Sequence, residues 1–268
     1  MSIITISRGS ASGGLLLATG LAKKMGYRII TREQLLREAA KFGVEEATLE
    51  KGLLGPPVFS EDFRHNLKCY LAFIQEVFCD WAQKDNVIYV GHAIHLLLPG
   101  ISHVVRIRLI APSSFRIRTL VEREGMTEGQ AAAYIEKVDE QRRAWTLLLY
   151  GVDWLSPSLY DLTINLEVMS INSAIEIAAA TVNLPEFSVT RQSRKALRDL
   201  LLESKVRVAL VLAPSTTSAK INVEADSASG AIILRGEAQS PSVVSEVIRI
   251  AKEVDGVANV DSRLSASA

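Results

Sequence analysis

Short runs rich in β-branched and aliphatic residues alternate with amphipathic stretches through the first two thirds of the chain. Ser2–Ile6, Arg28–Ile30, Val87–Val90, His103–Ile110 and Asp161–Leu166 read as strands. Between them, apolar positions recur at helical spacing. Leu15–Met25 is one such helix, closed by Gly26. Others run from Thr31 to about Phe42, from Ser60 to Lys84, from Ala111-Pro112 onward, from Thr127 to Tyr150, and from Ser170 to Val182. Thr31 with Gln34, and Thr127 with Gln130, carry capping-box spacing. Phe63, Leu67, Tyr70, Leu71, Ile74, Val77, Phe78 and Trp81 form a core stripe on one long helix. Residues 43–59, holding Gly52, Gly55, Pro56 and Pro57, read as a loop or broken helix. Alternating strands and helices predict an α/β fold: a doubly wound, mostly parallel sheet with helices on both faces.

The pattern changes after Val182. Asn183–Gln192, with Pro185, reads as a linker. Ser193–Leu212 opens as a helix, and its last part, Val206–Leu212, fits helix or strand. Ala219–Ala225 and Ala231–Ala238 alternate as strands about a Ser/Gly turn at Asp226–Gly230. An amphipathic helix at Pro241–Val254 and a strand at Val257–Leu264 complete a small C-terminal α+β domain. The expected division is residues 1–182, a linker at 183–192, and 193–268.

With 268 residues, 48% of them hydrophobic, the chain has ample core for one large domain or two. Thirty basic residues balance thirty acidic ones, which argues against a general nucleic-acid or anionic-membrane footprint. No uninterrupted apolar stretch is long enough to span a bilayer, and no secretory signal opens the chain. Cys69 and Cys79 sit ten residues apart on one helix and cannot meet, as expected of reduced thiols in a cytoplasmic protein. No Cys/His cluster supports a metal site.

The chemistry concentrates at the first strand-to-helix turn, Ser7-Arg8-Gly9-Ser10-Ala11-Ser12-Gly13-Gly14. Glycines let backbone N–H groups converge on one anion, with the positive end of a helix behind them. Against the phosphate-loop pattern G-x-x-x-x-G-K-[ST], Gly9 and Gly14 take the glycine positions. Leu15 and Leu16 replace the lysine and the hydroxyl residue. The backbone half of the motif is present and the side-chain half is not. An ordinary Gly/Ser turn is the plainer alternative. Thr31 and Gly91-His92 also fall at carboxyl ends of strands, where such folds bind ligands.

Residues 1–182 resemble the cytidylate-kinase-like family of P-loop nucleotide kinases. The likeness rests on Ile4-Thr5-Ile6-Ser7-Arg8, Ser12-Gly13-Gly14, Gly26-Tyr27, Val90-Gly91 and Ala111-Pro112 before Arg116 and Arg123. Most specific is Lys137-Val138-Asp139 with Arg142-Arg143, Gly151, Asp153-Trp154, Pro157, Tyr160-Asp161-Leu162 and Ile164-Asn165. The resemblance implies ATP as donor, Mg²⁺, and a pyrimidine nucleoside monophosphate as acceptor. It implies nucleotide binding by Arg8, Gly9, Ser10, Ala11, Ser12, Gly13 and Gly14, and acceptor contacts from Thr31, His92, Arg116 and Arg123. Arg142 and Arg143 would act as lid arginines, with Asp139 orienting them. The sequence departs from the family at Leu15, at Thr31 where an acid is expected, and at Gly91-His92-Ala93 in place of glycine-arginine-glycine.

Residues 193–264 resemble a BON domain through Ile221-Asn222-Val223, Gly230, Ile233-Leu234-Arg235-Gly236, Ala251 and Gly256-Val257-Ala258-Asn259-Val260. That resemblance implies a protein or phospholipid partner. Two functions stay open: a working nucleotide kinase acting on a nucleoside monophosphate or similar small acceptor, or a catalytically weak or inert nucleotide-binding sensor or scaffold acting through its BON domain. Leu15 and Leu16 favour the second; the Asp139–Arg143 run favours the first.

Overall fold

The structure, a computed structural model, describes residues 2–39, 61–84, 86–91, 93–217 and 219–266. The loop expected at residues 43–59, the helix end near Phe42, and His92 lie outside the described residues. The chain divides into two compact units: residues 1–34 with 84–190, and 35–83 with 191–268. Residues 35–83 thus cluster with the C-terminal part, a grouping the linear pattern does not carry.

The first unit holds a five-stranded parallel sheet in the order β2-β3-β1-β4-β5. Its strands are β1 (Ile3–Arg8), β2 (Arg28–Thr31), β3 (Val87–Val90), β4 (Val104–Ile110) and β5 (Leu162–Asn165). Flanking helices are α1 (Gly14–Met25), α4 (Ser113–Glu124), α5 (Glu128–Tyr150) and α6 (Ile171–Val182), while α2 (Arg32–Ala39) opens after β2. Ile4, Ile6, Ile88, Val105 and Ile107 are fully or almost fully buried against Leu17 and Leu21 of α1 and Ala174 and Ala178 of α6. Each such aliphatic side chain stabilises the fold by about 1.5–3 kcal/mol on burial. Both capping boxes form: Thr31 N–H donates to Gln34 Oε1 at 3.0 Å, and Thr127 N–H to Gln130 Oε1 at 2.9 Å.

Strand β1 continues two residues past the expected Ile6. Ser7 and Arg8 pair with Arg108 and Leu109 of β4, which carries the strand to the edge of the glycine turn. The expected linker contains a 3₁₀ turn at Pro185–Phe187, and Ser2 Oγ donates to Phe187 O at 2.8 Å.

The second unit contains α3 (Glu61–Ala82), α7 (Arg191–Leu212), β6 (Lys220–Asp226), β7 (Ala231–Ala238), α8 (Pro241–Glu253) and β8 (Asn259–Ala266). Strands β6 and β7 are antiparallel; β7 and β8 are parallel, joined through α8. Val206–Leu212 is helical throughout, as the end of α7. Val206 and Leu210 pack with Val223, Ile232, Leu234 and Val247 in one core. Helix α3 buries Ile74, Val77 and Phe78 of the expected stripe, whereas Leu67, Tyr70, Leu71 and Trp81 are half-buried. Phe73, Cys79 and Ala82, outside the stripe, are buried completely, so the core face is rotated from the expected one. The outer edge of β6 is closed by side chains of α7: Arg207 donates to Val223 O at 3.2 Å and Glu203 accepts from Ala225 N at 3.3 Å. Among the described residues no helix is long and apolar enough to cross a membrane.

Candidate functional site

The first strand-to-helix turn is held by its own serine: Ser12 Oγ donates to Gly9 O at 2.8 Å. Ala11 and Gly13 adopt left-handed backbone, with φ 57° and 84°. The first bond of α1 runs from Leu17 N to Gly13 O at 3.1 Å, and no side chain caps the helix. The amides of Gly14, Leu15 and Leu16 therefore precede the helical ladder and face its N-terminal end. Leu15 and Leu16 are 46% and 57% exposed, so they point to solvent and leave the turn open.

The glycines also make room for arginines. A Cβ at Gly14 would meet Arg8 Cδ at 2.4 Å, and one at Gly9 would meet the Arg116 guanidinium at 3.1 Å. Asp139, from the middle of α5, organises the group. Its Oδ1 accepts from Ser10 N at 3.0 Å and its Oδ2 pairs with Arg116. Arg116 Nε donates to Ser10 O at 2.6 Å. Arg142, one turn beyond Asp139, lies 3.6 Å from Oδ1 and donates to Arg8 O at 3.2 Å.

This cluster carries more positive than negative charge. Burial lowers the Arg142 pKa to about 10, with repulsion from Arg8 adding to it and Asp139 opposing. Burial lowers Arg8 as well, against attraction from Tyr89 and Glu33. Both remain protonated at neutral pH. Glu33, two residues past Thr31, is held below the usual glutamate range: burial acts against this, and the Thr31 hydroxyl together with Arg32 and Arg8 outweigh it. Arg32 presents a buried Nη2 with no hydrogen-bond partner and adds to the repulsion felt by Arg142.

Beside the turn opens a cleft of about 450 Å³, lined by Gly9, Ser12, Arg108, Arg116, Arg143 and Trp154. Arg108 lies over the Trp154 ring at 5.3 Å and near Tyr160 at 5.7 Å, and donates to Leu155 O. Tyr160 donates to Trp154 O at 2.8 Å, fixing the indole. Arg143 is exposed and pairs with Asp153 at 2.7 Å, whose other oxygen accepts from Leu155 N at 3.0 Å. Beneath β1, His95 Nδ1 lies 3.4 Å from Ser7 Oγ. Burial, with Arg106 adding to it, lowers the His95 pKa to about 4, so the ring is neutral at pH 7.

The structure thus brings together Arg8, the Gly9–Gly14 turn, Arg116, Asp139 and Arg142, with Arg143 across the cleft. Thr31 sits at the end of β2, where its hydroxyl caps α2 by accepting from Gln34 N at 3.4 Å. Arg123 lies in the exposed last turn of α4, two turns from Arg116, and does not line the cleft. Arg108, Glu33 and Arg32 were not singled out by sequence. An arginine inside the apolar run Val104–Ile110 was the available signal for Arg108; nothing in the sequence pointed to the other two.

A parallel sheet whose first strand delivers a glycine turn onto a helix N-terminus, ringed by arginines, has the architecture of the P-loop kinase fold class. Residues 3–168 match the cytidylate kinase-like family, and the chain belongs to it. Residues 198–268 match the BON domain. Among curated relatives, cytidylate kinase of Thermococcus kodakarensis is 27% identical over 183 residues, 68% of this chain and 88% of that one. Cytidylate kinase of Sulfolobus acidocaldarius is 26% identical over 181 residues, 67% and 93% of the two chains. A solved structure of an uncharacterized protein from Eubacterium ventriosum superposes with a TM-score of 0.55 at 18% identity, covering 68% of this chain and 98% of that one. It supports the fold of the first unit alone.

Proposed function

We propose that the N-terminal domain, residues 1–182, binds ATP at the Gly9–Gly14 turn and transfers its γ-phosphoryl group to a nucleoside monophosphate, with a pyrimidine as acceptor base. The observation that carries this reading is the charge imbalance at the turn. Arg8, Arg116 and Arg142 stand at the positive end of α1 with Asp139 as the carboxylate among them. Arginines outnumber the carboxylate they directly contact, an arrangement that favours a polyanion even with Glu33 near Arg8 and Glu136 and Glu140 on the cleft. Arginine forks grip phosphate oxygens in pairs and stay charged. In this scheme they supply the cation that Leu15 no longer provides.

Phosphoryl transfer depends on position and on charge neutralisation more than on covalent chemistry by the protein. Asp139 is a positioning residue: it fixes Ser10 N, Arg116 and Arg142 in one geometry. Arg142 and Arg143 would close on the transferring group, Arg143 exchanging Asp153 for phosphate. The chain fits Mg²⁺ carried on the nucleotide, with no fixed cage of its own. No cluster of three metal-binding side chains occurs among the described residues, and the Ser12 hydroxyl is committed to Gly9 O. Glu136 and Glu140, one turn apart on the cleft, would hold such an ion, which when bound neutralises phosphate charge. The cytoplasm is the compartment in this reading, which the need for ATP and the two free thiols support.

A coupled assay of ATP consumption against each nucleoside monophosphate tests the proposal. Turnover with at least one acceptor, lost in Arg142→Ala, is the expected result. The exposed Leu15 and Leu16 favour a second reading, a nucleotide sensor that signals through a protein or phospholipid partner of the BON domain. ATP binding without turnover on any acceptor would leave that reading in place.

A further inference from the structure

Within the second unit, α3, the end of α7 and the strand pair β6–β7 enclose a groove of about 600 Å³. Its walls are aliphatic: Leu71 and Ala72 of α3, Leu210 and Val211 of α7, Ile221 and Val223 of β6. Its rim carries four cations, Lys68, Arg207, Lys220 and Arg235, and no lining residue is a carboxylate.

Two of those cations are already matched. Arg207 pairs with Glu203 at 2.8 Å and donates to Gln75 at 2.8 Å, and Arg235 pairs with Glu224 at 3.1 Å. Lys68 and Lys220 are exposed and form no ion pair among the described residues. The groove therefore offers a mainly aliphatic lining and two exposed lysines without an ion-pair partner among the described residues. A volume of this size suits a small molecule. An extended peptide adding to the sheet is disfavoured, because Arg207 and Glu203 already occupy the outer edge of β6. A nucleotide is disfavoured too, since the lining holds no aromatic ring for a base to stack on.

The geometry points to a binding site for a single-chain amphipathic anion: an aliphatic tail along Leu71, Leu210 and Ile221, and a carboxylate or phosphate head between Lys68 and Lys220. The site is separate from the nucleotide reading and stands without it. The head could belong to a fatty acid or an alkyl phosphate; the chemistry recognised is the same.

The test uses the full chain with decanoate, decyl phosphate and decanol, each below its micelle concentration. Binding is followed by calorimetry and by amide chemical-shift changes. Decanoate or decyl phosphate is expected to bind at least about tenfold more tightly than decanol, as two rim ion pairs of modest strength allow. Shifts should centre on residues 68–75 and 219–223. Which anion binds better identifies the head group. Lys68→Gln with Lys220→Gln, both surface changes, should bring the anions down to the affinity of decanol. Leu71→Gln should weaken all three ligands. Equal affinity for decanol and the anions, shifts confined to the first unit, or binding only to micelles or anionic vesicles would each overturn the assignment.

Discussion

The two units use charge in opposite ways. In the second, the ion pairs are mostly matched and partly exposed: Lys195 bridges Asp199 and Asp226 at 2.8 and 2.7 Å, and Arg249 bridges Glu246 and Glu253 at 2.7 and 2.6 Å. Such pairs contribute little each and ask for nothing further. In the first, guanidinium groups are gathered, half-buried and repelling, around the carboxylate of Asp139, with Glu33, Glu136 and Glu140 further out. Charge held together against its own repulsion favours an anionic ligand; charge paired off along a helix marks only a solvated surface.

The largest effect expected of breaking this contrast comes from Asp139→Asn. Removing the carboxylate frees Ser10 N, Arg116 and Arg142 together, and phosphoryl transfer should fall by about 10²–10³-fold. Steady-state kinetics checks this, with circular dichroism confirming the fold. Next comes Gly14→Ala. The new methyl would displace Arg8, and ATP affinity should drop about tenfold or more, read by calorimetry. By contrast Arg143→Ala, altering an exposed residue, should cost less than Arg142→Ala in the same assay.

Acid should separate the units as well. His95 has a native pKa of about 4, below its value in the unfolded chain. Between about pH 6.5 and 4 the unfolded state takes up a proton that the native state refuses, so stability falls as pH falls, by up to about 3 kcal/mol. His95→Gln should flatten that window in denaturant titrations of the first unit. In the second unit, the Asp226 carboxyl is lowered to about 2 by hydrogen bonds from Lys195 and then Ser229. Its contribution is complete above the unfolded carboxylate value near 4 and disappears as pH falls through about 2. Lys195→Ala should shrink that step, lowering stability above about pH 4 and leaving it unchanged below about pH 2.

Much of the fold was written in the periodicity. The five strands of the first unit, both capping boxes and the closing Gly26 follow from local spacing, because burial of one face and satisfaction of helix ends are local problems. Val206–Leu212 was ambiguous for a physical reason. Its valines and leucines alternate like a strand, and its helical state is fixed by packing against Val223, Ile232 and Val247, which no local window contains. The grouping of residues 35–83 with the C-terminal part was likewise hidden.

The site was legible where residues act through the backbone turn or through one helix turn, as Asp139 and Arg142 do. It was illegible where two elements meet. Arg8 was named from the motif, but its packing over Gly14 and the action of Glu33 on it are visible only in three dimensions. Arg123 shows the converse. Its spacing from Arg116 places it on the same helix, yet a further two turns carry it about 10 Å away from the cleft.

The side chains of Glu203 and Arg207 that seal β6 carry one more implication. A three-stranded sheet with one flank shut can recruit partners only beside β8. Copies joined there would meet flank to flank as a pair, so the native module offers one edge, not two, for extending the sheet.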